Sequence, residues 1–324
     1  MVLEVIYVVR HGFRSNWETN PHTGTYTATV RTPTNIPSDP ALASYGVQQA
    51  AELAQHISTL SPTPDVVYSS PFYRCLQTIR PAVEILAERR GKDIKVRCEN
   101  GLGEFYGLAR FDHPSPAILE VLHTHFDTLN PIYKPVIMPS AKGESIEALH
   151  DRIAYCLHHI IKSLDADPDG PRALLICTHA ASMIVIGRVL TGRMPGNPEE
   201  DDFQCFTCSL SKFTRRSIVK GIENKSPDVE VWNTAAPESI PHVHWRGGKG
   251  VQGGWDCEIN GDTSFLKNGA ERGCRDFSIE TRTAASEQLA REEEQRLAEE
   301  EQRRLAAAPK TERLKRVQDT TKTS

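Results

Sequence analysis

No apolar run in this chain approaches the length of about eighteen residues that crosses a bilayer as a helix, so no membrane span and no membrane partner are expected. The opening residues lack a basic-then-apolar leader, which points to an intracellular protein, cytoplasmic and/or nuclear. Charge is nearly balanced: 38 Lys and Arg against 42 Asp and Glu leave a formal net charge of -4 and a pI near 6.3. With no general basic footprint, direct binding to nucleic acid is not expected. Cysteine is sparse and scattered, eight in 324 residues, which excludes a disulfide framework and predicts free thiols. Cys205-Phe206-Thr207-Cys208 is a lone C-x-x-C without a second pair, and His123-x-His125 and His242-x-His244 are weaker still as metal motifs. In the charged C-terminal tail only Leu289, Leu297 and Leu305 offer apolar surface, too widely spaced for a coiled-coil seam.

What is present suffices for a core. The hydrophobic content is 39%, and 324 residues accommodate one large domain with an appendage or two modest domains. Leu3-Glu4-Val5-Ile6-Tyr7-Val8-Val9 reads as a buried strand running into Arg10-His11-Gly12-Phe13-Arg14. Residues 18 to 41 read as a long irregular excursion. The apolar spacing from Ser44 to Leu60 predicts a helix stopped by Ser61-Pro62. A second strand, Asp65 to Ser69, leads through Ser70-Pro71 into a helix that carries Arg74 in its first turn and closes at Gly91. Ile94 to Cys98 alternates as a third strand, followed by Gly101-Leu102-Gly103-Glu104-Phe105-Tyr106-Gly107, where the glycines suit tight turns around one carboxylate.

After a proline-rich stretch, 108 to 143, a helix is expected from Ser145 to Leu164. The apolar strand Ala173 to Cys177, of the kind covered on both faces, ends at Thr178-His179 and precedes a helix from Ala180 to Leu190. Further strands are expected near Cys208 to Thr214 and at Val229 to Asn233, and Asn260-Gly261 reads as a hairpin turn. Alternating strands and helices predict an α/β fold. The expected organisation is a domain over 1–233, a β-rich extension over 234–280 packed on it, and a charged helical or disordered tail over 281–324. That tail contains the pairs Glu292 with Arg296 and Glu299 with Arg303, and its basic end, Lys310 to Lys322, reads either as a nuclear-import patch or as a terminus without structure.

Arg10, His11, Arg14, Arg74, Glu104 and His179 all fall at strand ends or helix starts on one side of the expected sheet, where α/β sheets bind ligands. Taken singly, Arg14 could pair with a carboxylate, Glu104 could cap its loop and His179 could be a core histidine. Together they suit a phosphate monoester, because guanidinium forks match phosphoryl oxygens, a neutral imidazole is a phosphorus nucleophile, and a carboxylic acid protonates a leaving alcohol. Neighbouring arginines disfavour the imidazolium and so keep His11 nucleophilic.

Arg10-His11-Gly12 after an apolar strand, Arg74 within Ser69-Ser70-Pro71-Phe72-Tyr73-Arg74, Glu104 between Leu102 and Gly107, and His179 resemble the histidine phosphatase superfamily, which includes phosphoglycerate mutases. The resemblance covers roughly residues 1 to 215. It implies a three-layer fold with a mostly parallel sheet flanked by helices, and a metal-independent hydrolase without a cofactor. By the same resemblance His11 becomes the phosphohistidine, Glu104 is the acid, and Arg10, Arg74 and His179 hold the phosphoryl group, with Arg14 and Asn16 on the substrate. Residues 10–17, Thr178-His179-Ala180-Ala181-Ser182 and Asn260 to Leu266 are further similar to the histidine-phosphatase domain of a fungal transcription factor IIIC subunit and its free-standing relatives. That likeness implies a C-terminal β addition and makes transcription factor IIIC subunits expected partners beside a phosphorylated substrate. Three functions follow as alternatives: a phosphomonoesterase, an interaction subunit with little catalysis, and a phosphate-docking module.

Overall fold

The computed structural model describes residues 2–20, 22–168, 170–197, 200–216 and 229–273. The expectations for residues 281–324, and for Cys274, lie outside these.

In chain order the elements are β1 (Val5–Arg10), β2 (Trp17–Thr19), β3 (Tyr26–Ala28), α1 (Ser44–Thr59), β4 (Val66–Ser69), α2 (Tyr73–Arg90), β5 (Arg97–Cys98), α3 (Leu119–His123), α4 (Ile146–Asp165), β6 (Ala173–Thr178), α5 (Ala180–Thr191), β7 (Leu210–Arg215) and β8 (Trp255–Asp262). Six strands form one sheet in the order β5-β4-β6-β1-β7-β8. The first four run parallel; β7 is antiparallel to β1, and β8 antiparallel to β7. β2 and β3 make a separate two-stranded ribbon.

Strand alternation builds two cores from one sequence. Ile6 and Val8 of β1, with Leu174 and Ile176 of β6, face α4 and α5; Val5, Tyr7, Val9, Leu175 and Cys177 face α1 and α2. Being apolar on both faces, these strands can only sit in the middle of a three-layer sandwich. α1 buries Ala50, Leu53, Ala54 and Ile57 at helical spacing. α4 starts at Ser145, whose Oγ accepts a hydrogen bond from the Ala148 amide at 3.1 Å. α2 runs through Pro81 and stops at Gly91, which takes the left-handed conformation at φ 61°.

Several sequence expectations are corrected. α2 begins at Tyr73 rather than at Ser70-Pro71, and its first amide donates to the buried Asp39 carboxylate at 2.8 Å. The third strand shortens to Arg97–Cys98, with Val96 making a single bridge to Leu129. The excursion after Arg14 holds the β2–β3 ribbon, and α3 lies in the proline-rich stretch. Val229 to Asn233 is not a strand: the edge beside β7 is taken by β8, and the Trp232 amide donates instead to the Tyr155 hydroxyl at 2.9 Å. Asn260-Gly261 does not turn the chain. It lies within β8, where the register slips by one residue between Leu210↔Asp262 and Lys212↔Ile259, and Gly261 absorbs the bulge at φ 68°.

None of the seven described cysteines forms a disulfide. Among the described residues no helix is long and apolar enough to cross a membrane.

One glycine sets how closely the first loop packs. A Cβ on Gly46, in the first turn of α1, would sit 1.9 Å from the Phe13 carbonyl oxygen, so α1 presses on the loop after His11 only because this side chain is absent. Gly46→Ala is therefore expected to lose at least about 2 kcal/mol of stability by forced backbone movement, whereas Gly107→Ala, with no atom within 4 Å of its added Cβ, should stay within about 0.5 kcal/mol. Urea denaturation of the two variants checks this.

Candidate active site

The carboxyl ends of the parallel strands bring the candidate residues together. Arg10 is paired in register with Thr178, and the His11 amide donates to the Thr178 carbonyl at 2.9 Å, so the next residue of each strand is a histidine on the same rim. The two imidazoles lie edge to face with centroids 5.3 Å apart. β4 delivers Ser70 and then Arg74, and the loop after β5 delivers Glu104. Donor atoms of His11, Glu104 and His179 lie within 4.8 Å of one another. His11, Arg74 and His179 are buried, and the Glu104 side chain is 17% exposed.

His11 Nδ1 lies 2.8 Å from the Gly12 carbonyl. A carbonyl only accepts, so Nδ1 carries the proton and, in the neutral ring, Nε2 keeps its lone pair. Burial, followed by the positive charges of Arg74, His179, Arg10 and Arg14, holds the His11 pKa well below its ordinary value. Arg74 Nη2 donates to Glu104 Oε2 at 3.0 Å and its Nη1 to the Ser38 carbonyl at 3.0 Å, with Asp39 at 3.5 Å. Burial pushes Asp39 up to about 6 against the pull of Arg74. His179 Nδ1 stands 3.2 Å from Glu104 Oε2, and its Nε2 is 2.7 Å from Ser70 Oγ. Burial opposes a charged His179, but Cys75 and Glu104 outweigh it and raise its pKa. Burial likewise opposes a charged Glu104, yet His179 and Arg74 hold its carboxyl well below the usual range.

The remaining expected residues lie differently. Arg10 Nη1 donates to the carbonyls of Cys205 at 2.6 Å and Arg272 at 2.5 Å, so Arg10 ties the loop to the C-terminal segment while its charge still acts on His11. Arg14 donates to the Ser15 carbonyl at 3.0 Å and lies over the Trp17 ring at 5.7 Å. Asn16 is placed beside the β2–β3 ribbon, its carbonyl accepting from Thr29. Sequence reading did not single out Ser70, Asp39 or Thr78, whose Oγ1 accepts from the Gly12 amide at 2.9 Å. Only Ser70 carried a signal, its position directly before Pro71.

His11, Glu104 and His179 are the one His/Cys/Asp/Glu group among the described residues with metal-binding spacing. The Arg74 guanidinium inside the group repels a cation, and Arg10 Nε and Arg74 Nε are buried donors without a partner. The donor set therefore fits a tetrahedral oxyanion.

Beside Glu104 opens a small pocket of about 50 Å³, walled by Phe72, Tyr106, His113, Pro114, Pro116 and Met138, with no Lys or Arg in its lining. The His113 ring stacks on Tyr106 at 4.7 Å and is held between the Tyr26 hydroxyl and the Gly107 carbonyl.

Comparison with known proteins places the chain in a family. The sequence model of the histidine phosphatase superfamily (branch 1) matches residues 6–233. The chain belongs to this superfamily. It is 34% identical to the transcription factor tau 55 kDa subunit of Saccharomyces cerevisiae over 277 residues, 84% of this chain and 58% of that one. It is 27% identical to the ecdysteroid-phosphate phosphatase of Drosophila melanogaster over 64% of this chain and 26% of that one. This chain thus spans little more than half of the yeast relative's length and about a quarter of the fly relative's. Among solved structures, the ecdysone phosphate phosphatase of Bombix mori, in complex with tungstate, covers 68% of this chain and 97% of its own at 18% identity and a TM-score of 0.49.

The electrostatics give a direct test. The His11 ring should remain neutral, protonated on Nδ1 alone, where an ordinary histidine is already charging, with its titration displaced to acid because burial and cationic neighbours penalise the imidazolium. Arg74→Gln removes one positive neighbour, so the midpoint should move up toward the ordinary value without reaching it. Nitrogen-15 shifts of the ring, followed against pH, read both results.

Proposed function

We propose that this chain is a phosphomonoesterase that works through a phosphohistidine at His11. The observation that carries the reading is the fixed tautomer of His11, which leaves Nε2 as a lone-pair nucleophile in a buried cluster with Arg74, Glu104 and His179. His11 Nε2 attacks phosphorus in line, the bond from phosphorus to the leaving oxygen breaks, and Glu104 gives that oxygen a proton. Water then attacks the phosphohistidine, the phosphorus–nitrogen bond breaks, and Glu104 recovers the proton. Arg10, Arg74 and His179 neutralise the phosphoryl oxygens, and Arg14 with Asn16 lies toward the substrate.

Glu104 is ionised while Arg74 and His179 turn toward it. A bound phosphate draws both cations to itself and places negative charge beside the carboxyl, which raises the Glu104 pKa and lets it carry the proton the leaving group needs. The cavity at Glu104 is where that group would lie. Its aromatic and proline walls, without a cation, favour an uncharged apolar alcohol over a leaving group bearing a second anion. The substrate class is thus a phosphoprotein side chain or a small ester of that kind. Within the expected extension over 234–280, the described residues 234–273 are taken as part of the phosphatase domain, on the pairing of β8 with β7.

A second reading rests on the yeast relative, whose match is longer than the superfamily's own region. By this reading the protein associates with transcription factor IIIC subunits in the nucleus. Purification of the tagged protein from its native cells checks it, and absence of those subunits among the co-purifying proteins would count against it.

For the enzymatic reading, the wild type should hydrolyse phenyl phosphate at a rate that His11→Ala reduces by about 10³-fold or more, given what nucleophilic catalysis supplies. Phosphoglycerate should be turned over less well than the aryl ester. Equal rates in wild type and His11→Ala would overturn the proposal.

A further inference from the structure

We propose that Arg152, which does not touch the phosphoryl site, is the positioning residue that aims Glu104 at the leaving group. This rests on the proposed role of Glu104 as the acid. Arg152 lies on α4 and is 0% exposed, and its guanidinium is divided between two backbone segments that flank Glu104. On one side Nη1 donates to the carbonyls of Gly101 at 2.8 Å and Gly103 at 3.4 Å, in the turn that leads into Glu104. On the other side Nε and Nη2 grip the Glu144 carboxylate at 2.5 to 3.1 Å. The Glu144 amide in turn donates to the carbonyl of Tyr106, two residues past Glu104, at 2.9 Å. One buried cation thus clamps the chain just before and just after the acid.

The clamp is keyed to the second histidine. Thr178 Oγ1 donates to the Leu102 carbonyl at 2.6 Å and Ser182 Oγ to the Gly103 carbonyl at 2.7 Å, from residues on either side of His179. Three successive carbonyls before Glu104 are therefore all held by side chains. The glycines serve the same end. A Cβ on Gly101 would lie 2.7 Å from Ile137 Cγ2 and 2.8 Å from Cys156 Sγ, so its bare backbone lets the turn sink onto α4 within reach of Arg152. Gly101, Gly103 and Gly107 all keep negative φ, so close approach, rather than the tight turning expected from sequence, accounts for Gly101.

A lysine keeps the charge at position 152 but, as a single point donor, cannot hold Glu144 and the carbonyls together. The loop then keeps its sequence and loses its aim. A misplaced acid matters only where the leaving group needs a proton, so the signature is a leaving-group dependence that a general loss of fold would not produce.

The test compares kcat/KM for phenyl phosphate, whose leaving oxygen needs a proton, with dinitrophenyl phosphate, whose leaving group departs as the anion. Arg152→Lys should lower the phenyl phosphate value by about 10²-fold, the cost of a displacement of about 1 Å in a catalytic group, and the dinitrophenyl phosphate value by less than about threefold. Ser182→Ala should shift the ratio in the same direction by a smaller factor, and it decides the matter if the lysine variant fails to fold. Equal losses on both substrates, or no loss on either, overturns the proposal. Glu104→Gln, run alongside, separates the two levels: if it too leaves the ratio unchanged, the failure lies with Glu104 as the acid rather than with Arg152.

Discussion

The structure depends first on the parallel pairing of β1 with β6. With Arg10 opposite Thr178 and the His11 amide on the Thr178 carbonyl, the strands end level, and the residue beyond each end is a histidine. A slip of one residue would exchange the faces of every side chain in β1 and send Ile6 and Val8 to the wrong core. The two apolar cores thus hold the register of the site: the energy that places His11 beside His179 is spent on burying apolar residues away from it.

Upon that register rests a buried charge cluster that cannot tolerate a missing partner. An Arg74 guanidinium at 0% exposure is stable only because Asp39, Glu104 and the Ser38 carbonyl meet it. The same contacts fix the resting protonation. His11 is kept neutral by burial and its cationic neighbours, while Glu104 is kept ionised by His179 and Arg74 despite its own burial. A phosphate would rearrange this balance by taking the cations for itself. Phe72 joins cluster and cavity, its ring under the Arg74 guanidinium at 4.6 Å and edge to face with the His179 imidazole at 5.3 Å. The apolar wall beside the acid is therefore continuous with the packing of the cluster.

Much of this was legible in the chain. The central strands announce themselves as apolar runs, the helices by spacing, and the candidate residues by falling immediately after strands. The misreadings share a cause. Asn260-Gly261 has the local chemistry of a hairpin turn, but β7 offered a long edge, and pairing the whole of β8 along it cost two one-residue slips of register, the first beside a glycine able to take φ 68°. Val229 to Asn233 looks like a strand and lost its edge to β8. A contact of the same long-range kind is the pair of bonds from Arg10 to the carbonyls of residues 205 and 272, made by segments far apart in sequence.

By itself, the sequence determined the central strands and the long helices, that both faces of the sheet would be covered, and which residue types would gather at the strand ends. Those follow from local periodicity and from the side-chain chemistry of each residue. The tertiary structure alone decided which nitrogen of His11 is bare, that Glu104 rests ionised, that Asp39 and Ser70 complete the cluster, and that Arg152 binds the turn before Glu104. Each of these depends on distances between residues tens of positions apart. Hydrogen bonds and charge interactions of that kind have no period along the chain and come into being only when the cores have closed.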